Sequence, residues 1–280
     1  MRCSSVFLCV IPAACIFAGV RPAIADAGIY EGWDYPPGDS LDLTPGTGTG
    51  WAPSSGYSGP LAVVSPTLTH PAALPSTGNA LATTANTSSI NTSRAFAAPL
   101  DSTQTMWMSF LGRRDAEFGT YTVSLQQHSG NRTFSATFGV DVDPSTGTNR
   151  YKARWENVGF SVTSGDSFAP QPLSAPATTD LFLVRIDPAD TVAGSQTFDM
   201  WVNPNLADLS SPDASITWPS SLRVWSSVLY NVSGSSVDEL RIDSSLANVA
   251  PVPAPSAAGA GVALAMLILR RKRRADRGAQ

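Results

Sequence analysis

TFSATFGV, residues 133–140, alternates strictly between apolar and polar side chains: Phe134, Ala136, Phe138 and Val140 fall on one face, Thr133, Ser135 and Thr137 on the other. That period of two is the pattern of a half-buried β-strand. YKARW, residues 151–155, repeats it with Lys152 and Arg154 turned outward, and the intervening DVDPSTGTN supplies turn residues for a hairpin. Outward from this pair, residues 105–111 (TMWMSFL), 121–126, 181–186 (LFLVRI), 198–202 (FDMWV), 222–230 and 240–242 read as further strands. Turn clusters separate them at short intervals, which favours a β-sandwich over alternating βαβ units. Trp107 and Trp155 alternate in phase with apolar neighbours and are expected in the core.

Composition agrees. Only 14% of the 280 residues are charged, and Gly and Pro number 22 each, where average soluble proteins carry roughly 25% charge. Ser, Thr, Asn and Gly fill the remaining space, a palette of turns and short strands. Residues 36–60 and 65–94 are rich in Gly, Pro, Ser and Thr but are punctuated in the first stretch by Trp51 and Tyr57. They read as long ordered loops lying over the sandwich, because linkers seldom carry aromatics.

Both ends look like addresses. Arg2, an apolar run over residues 6–20 and a small-residue A-x-A site at Ala23–Ala25 or Ala25–Ala27 form a secretory signal peptide over residues 1–25. An uncleaved N-terminal anchor is the alternative. Cys3, Cys9 and Cys15 all lie inside it, so the mature chain has no disulfide framework or cysteine nucleophile. At the other end, Ala257 to Leu269 is apolar and is closed by Arg270, Arg271, Lys272, Arg273 and Arg274. Thirteen residues of helix reach about 20 Å, against about 30 Å of hydrocarbon, so a span needs the helix to start near Val252. The basic cluster places the C-terminus inside and the body of the chain outside.

The order Val252-Pro253-Ala254-Pro255-Ser256, apolar segment, Arg-rich terminus resembles the PEP-CTERM sorting signal of bacterial exosortase substrates, with Ala254 where that signal has glutamate. The resemblance implies export, an exosortase-type sorting enzyme as partner and transient residence in the inner membrane through the tail. A plain C-terminal anchor is the alternative. Between the ends, YEGWDYPPGDSL (residues 30–41), MWMSFLGR (106–113), LFLVRID (181–187), FDMWVNP (198–204) and VDELRI (237–242) resemble, in that order, concanavalin A-like domains of the laminin-G-like type. The fold expected is therefore all-β, a concanavalin A-like jelly-roll sandwich over residues 26–245. A linker over 246–251, the sorting and membrane tail over 252–274 and a cytoplasmic end over 275–280 follow it.

Residues 26–250 hold 21 Asp and Glu against 10 Lys and Arg, a net charge of −11, with Lys152 the only lysine. Nucleic acid, which needs clustered cations, is excluded as a partner. Hydrolases of the resembled fold place two glutamates around an aspartate as E-x-D-x-x-E on one strand, so that the carboxyls flank the scissile bond. That pattern is absent. Glu31, Glu117, Glu156 and Glu239 are dispersed, and Asp115 and Glu117 sit beside Arg113 and Arg114, where charge pairing is expected. His70 and His128 belong to no G-x-S-x-G or H-E-x-x-H motif. The chain reads as a non-catalytic binding or structural component of the cell envelope or extracellular matrix, with polysaccharide as the partner. The alternative is a glycan-active hydrolase or lyase with an atypical site. Trp51, Trp201 and Trp218 are the candidate stacking platform for sugar rings. Asp141 and Asp143, with Asn149 across the hairpin, are the candidate calcium ligands, calcium being the one cofactor in question.

Overall fold

The hairpin of residues 133–155 forms the middle of one of two antiparallel sheets. The computed structural model describes residues 28–33, 62–64, 67–76, 78–83, 90–100, 103–129, 132–158, 163–188, 190, 194–219 and 225–250. Among these, a six-stranded sheet runs in the order β4 (Ile90–Ala95), β13 (Ser227–Ser233), β6 (Thr120–Ser129), β7 (Arg132–Asp143), β8 (Thr148–Val158), β9 (Thr163–Phe168). The larger sheet runs β12 (Ala214–Trp218), β11 (Gln196–Val202), β10 (Thr179–Ile186), β5 (Met106–Arg114), β14 (Ser235–Asp243), β3 (Ala80–Ala82), β2 (Ala62–Val64), and β1 (Ile29–Glu31) also pairs with β14. The architecture is an all-β sandwich. The signal peptide, the sorting motif Val252–Ser256, the basic stop Arg270–Arg274 and Trp51 lie outside the described residues. Among the described residues, no helix is long and apolar enough to cross a membrane.

Alternation sets the core. Phe134, Ala136, Phe138 and Val140 are all buried between the sheets, with Phe138 opposite Val123 and Ala153 in its own sheet. Aromatic rings link the two layers: Phe138 lies 6.0 Å from Phe198, and Phe134 meets Trp218 edge-on at 5.9 Å. Phe182 stacks on Phe110 at 4.6 Å and receives the edges of Tyr121 and Tyr151. Such pairs add about 0.5–1.5 kcal/mol each to the burial of their area. Gly139, at φ +143, lies in the middle of β7, where a Cβ would run into the backbone oxygen of Tyr121. Only glycine lets β6 and β7 approach there.

The larger sheet also carries apolar side chains on its outer face, in two patches. Its outer side chains Leu111 and Leu181 are covered by residues 67–76 through Leu68, with Ala72 and Ala73 packed alongside. Leu183 and Trp201 are covered at the other end by Val249 and Ala250, which belong to or follow a one-turn helix, α1 (Leu246–Val249). Ser109 Oγ donates to Val249 O at 2.6 Å and fastens this cover. Residues 246–250, read from sequence as linker, are thus part of the packed domain. The apolar Leu246 and Val249 close a face that polar linker residues would leave wet. Trp107 likewise turns to this outer cluster, 6.2 Å from Trp201, while Met106 and Met108 point inward. Trp155 is half-buried against the main core, as alternation indicated.

Along the free side of β14, β3 pairs at Ser236 and Val237, and β1 takes over at Leu240 to Ile242. Between them the register with β5 slips by one residue across Asp238–Arg241, a β-bulge in which Glu239 adopts φ 54. Glu31 on β1 then reaches across the sandwich to Arg94 on β4 of the opposite sheet. Side-chain exposures of 0% and 3% make this a buried inter-sheet ion pair, and Glu31 Oε1 also accepts the Trp33 amide at 3.1 Å.

Phe138→Ala should destabilise the protein by about 3–5 kcal/mol in chemical denaturation. A loss under about 1 kcal/mol would place the ring at the surface. Glu31→Gln, which strips the charge partner from buried Arg94, should cost about 3–5 kcal/mol, and Glu31→Leu with Arg94→Met should recover a large part of it.

Candidate functional site

The two outer faces of the sandwich differ. On the six-stranded sheet, Tyr121, Val123 and Leu125 point inward, so Thr122, Ser124 and Gln126 point out. Strand register extends each into a row across the sheet. Asn91, Asn231, Thr122, Gly139, Lys152 and Phe168 form the first; Ser93, Leu229, Ser124, Thr137, Arg154 and Asp166 the second. Ala95, Ser227, Gln126, Ser135, Glu156 and Ser164 form the third. Exposure falls from the edge strands, where Asn91, Ala95, Ser164 and Asp166 are exposed, to the middle, where Thr122, Ser124, Gln126 and Ser135 are buried. This face, its less exposed middle made mostly of hydroxyls and amides and its rim of the more exposed edge strands, is termed the trough. Ser124 Oγ and Thr137 Oγ1 are hydrogen-bonded at 2.8 Å across its floor. Among the described residues, no strand or helix packs against it.

One side of the trough is a charged strip that neutralises itself. Lys152, placed outward by alternation, is only 2% exposed because its ammonium lies between Asp141 at 3.0 Å and Asp166 at 3.8 Å, above the ring of Phe168. Arg154 pairs with Glu156 at 2.8 Å and Arg150 with Asp143 at 3.1 Å. Each cation of the strip therefore has its own carboxylate, leaving no surplus positive charge for a polyanion.

Of the three candidate platform tryptophans, Trp201 and Trp218 are 3% and 2% exposed, and neither has a ring face to offer. Trp218 belongs to β12, where Ala214, Ile216 and Trp218 alternate inward, and it packs 5.2 Å from Trp155 and 6.0 Å from Trp225. Trp201 does point away from the main core, but α1 and Ala250 cover it. Among the described residues, the strongly exposed aromatic ring is instead Phe118, in the turn between β5 and β6, which alternation gave no reason to single out. Both calcium candidates are already engaged. Asp141 accepts Val142 N at 2.8 Å as well as Lys152. Asp143 caps its turn, taking Ser145 N at 2.9 Å and Ser145 Oγ at 2.6 Å besides Arg150. Those hydrogen bonds, the Ser145 hydroxyl foremost, lower its pKa to about 2. Asn149 donates to Gly119 O at 3.1 Å. Among the described residues no three His, Cys, Asp or Glu side chains gather as a metal site.

Other titratable groups form structural knots. Asp180 is buried and accepts from Tyr151 at 2.9 Å, Ser174 at 2.6 Å and Asn203 at 2.8 Å, with Tyr121 at 3.4 Å. Burial raises Tyr121 well above the usual range and Tyr151 to about 12, so both remain protonated donors. His70 stands at the border of this knot and accepts Ala72 N through Nδ1 at 3.1 Å. Desolvation lowers its pKa against the opposing pull of Asp180 and Asn203. Arg113 pairs with Asp115 at 2.7 Å and Glu239 with Arg241 at 2.7 Å, the exposed pairing at Asp115 having been legible in GRRDAEFG.

No protein-family model matches the chain, and no curated protein matches it. Solved structures similar to it include the carbohydrate recognition domain of Emp46p in metal-free form, at 8% identity and TM-score 0.39, covering 68% of this chain and 88% of that one. The exoplasmic/lumenal domain of VIP36 with calcium and a dimannose is similar at 9% identity and TM-score 0.39, covering 74% and 87%. An alginate lyase in complex with an alginate tetrasaccharide is similar at 10% and 0.38, covering 77% and 96%. These likenesses are weak, and the architecture rests on the strand pairing itself.

Asp238 gives a direct test of the cover over the larger sheet. It is buried and takes hydrogen bonds from Thr67 Oγ1 at 2.5 Å, Leu68 N at 2.7 Å and Glu239 N at 2.8 Å. Desolvation nevertheless raises its pKa to about 8, assisted by the charge of Glu239. The folded state then holds a proton that the unfolded chain, with an ordinary carboxyl near pH 4, has released. The stabilisation is complete below about pH 4 and is lost as pH rises to about 8. Comparing wild type with Asp238→Asn by denaturation from pH 4 to 8 should show the wild type losing ground, by at most about 1.4 kcal/mol per pH unit. Parallel curves would refute the raised pKa.

Proposed function

We propose that the chain is an exported component of the cell envelope or extracellular matrix whose jelly-roll domain binds a neutral polysaccharide along the trough of the six-stranded sheet. The observation that carries this reading is the trough floor. Hydroxyls and amides in cross-strand register, buried at Thr122, Ser124, Gln126 and Ser135 and more open at Asn91, Ser93, Thr137, Asn231 and Ser164, make a surface of the kind a hydroxyl-rich, uncharged chain requires. The paired cations of the flanking strip and the net charge of −11 over residues 26–250 disfavour acidic polymers. Export follows from the signal peptide, and delivery by an exosortase-type enzyme from the tail motif, both read in the sequence. The role is binding rather than catalysis: Glu31, Glu156, Glu239 and Asp115 are held in ion pairs, and Asp180 is saturated by its donors inside the fold.

The full chain, purified in a sugar-free detergent, should be retarded in affinity gels by at least one neutral polysaccharide, such as a glucan, mannan or galactan, and not by alginate or polygalacturonate. Gln126→Leu combined with Thr137→Val should weaken that retardation about tenfold, or about 1.4 kcal/mol. Retardation by acidic polymers alone would overturn the reading, and release of reducing ends during incubation would replace binding by catalysis.

A further inference from the structure

Residues 115–119, which join β5 to β6, are tied down from several sides. Asp115 N and Ala116 N donate to Gly234 O at 3.0 and 3.1 Å, and Gly119 N closes the turn onto Ala116 O at 3.0 Å. Arg114 Nη1 holds Glu117 O at 2.7 Å, Ser236 Oγ holds Asp115 Oδ2 at 2.5 Å, and Asn149 Nδ2 holds Gly119 O at 3.1 Å. A Cβ on Gly119 would strike Gly234 O, so the turn sits directly on the neighbouring loop. From this fixed turn Phe118 projects with 83% of its surface exposed. A ring so exposed adds almost no burial to the fold, while its fixed mounting lowers the ordering cost of a contact made from outside.

The position of the ring indicates what it would meet. Phe118 precedes by two residues Thr120, the first residue of β6, so it stands at one end of the trough. Asn149, which grips Gly119, pairs in register with Val142, the other large apolar side chain exposed among the described residues. By alternation with Val140 and Tyr151, Val142 and Asn149 face the core side of the sheet, so the apolar surface in line with the polar floor is the ring of Phe118 itself, followed by the hydroxyl of Thr120 at the start of β6. A sugar ring has matching character, with an apolar C–H face and hydroxyl edges. Exposed Asp115 and Glu117 beside the ring count against an anionic membrane or an acidic polymer as occupant.

We propose that Phe118 is a ring-stacking element that receives one end of the neutral saccharide chain lying in the trough; the assignment rests on the trough reading above. The full-length variants Phe118→Ala and Phe118→Tyr are compared with wild type in affinity gels containing the neutral polysaccharide that retards the wild type. Phe118→Ala should bind about tenfold more weakly, whereas Phe118→Tyr should stay within about twofold. Thermal unfolding of both should match wild type, because the ring is outside the core. Unchanged affinity in Phe118→Ala would overturn the stacking role and leave the trough standing, provided Gln126→Leu with Thr137→Val still weakens binding. Conversion of an oligomer to monomer by Phe118→Ala at unchanged affinity would assign the ring to a second copy and also overturn the proposal. Failure of the wild type to bind any neutral polysaccharide would overturn both readings.

Discussion

A strand with apolar side chains on both faces must be covered twice. β10 carries Phe182, Val184 and Ile186 toward the sandwich interior and Leu181 and Leu183 away from it, which is the near-continuous apolar run typical of a strand buried on both sides. At roughly 25 cal/mol per Å² of apolar surface removed from water, leaving Leu181, Leu183 and Trp201 wet would cost several kcal/mol. The chain meets this demand with two segments that are not sheet: residues 67–76 at one end and residues 246–250 at the other. Each is fastened by a polar clasp, Asp238 to Thr67 and Leu68 in the first case and Ser109 to Val249 in the second. The six-stranded sheet has no such demand. Its strands alternate and its outer face is polar, which is why the proposed binding surface is sought there.

The sandwich also contains a charge pair where apolar packing would have sufficed. Glu31 and Arg94 come from strands of opposite sheets, and burying them carries a desolvation cost that their attraction only partly repays. Such a pair contributes direction rather than strength. β1 has three residues, too few to choose its register by hydrophobic pattern, and a one-residue slip would turn Glu31 away from Arg94. The bulge at Asp238–Glu239 serves the same end on the other side of β1, since it re-phases β14 where β3 hands over to β1. A left-handed Glu239 costs backbone energy, offset by its ion pair with Arg241 and the hydroxyl of Tyr30.

Most strands long enough to show a period were legible in the sequence. β5, β6, β7, β8, β10, β11 and β14 overlap stretches of alternating or continuous apolar residues, the strand read over 222–230 meets β13 only over 227–230, and β4 (INTSRA), largely polar, falls almost wholly within residues 65–94, which read as loop. β1, β2 and β3, at three residues each, are too short for any period to register, and β9 (TSGDSF) has almost no apolar content, being held by its pairing with β8 and by Trp155 resting on Gly165. The site was less legible. Period two says which residues leave the core but not whether something else covers them, and so Trp201 and Lys152 were both placed outward correctly and both proved buried. ASITW contains a clear alternation that its Pro- and Ser-rich surroundings obscured, which hid Trp218 in β12. The trough depends on register between six strands, information that no single stretch of sequence holds.

The C-terminal cover also fixes where the described domain ends relative to the trough. Ala250 is fully buried on the outer side of the larger sheet, so the described domain ends on the face opposite the trough. The Val-Pro-Ala-Pro-Ser stretch begins at Val252, two residues further on. A flexible linker over residues 246–251 would have left the domain free to tumble about its attachment. With Leu246 to Ala250 packed down by Trp107, Leu183 and Trp201, the described domain instead ends fastened to the outer side of the larger sheet.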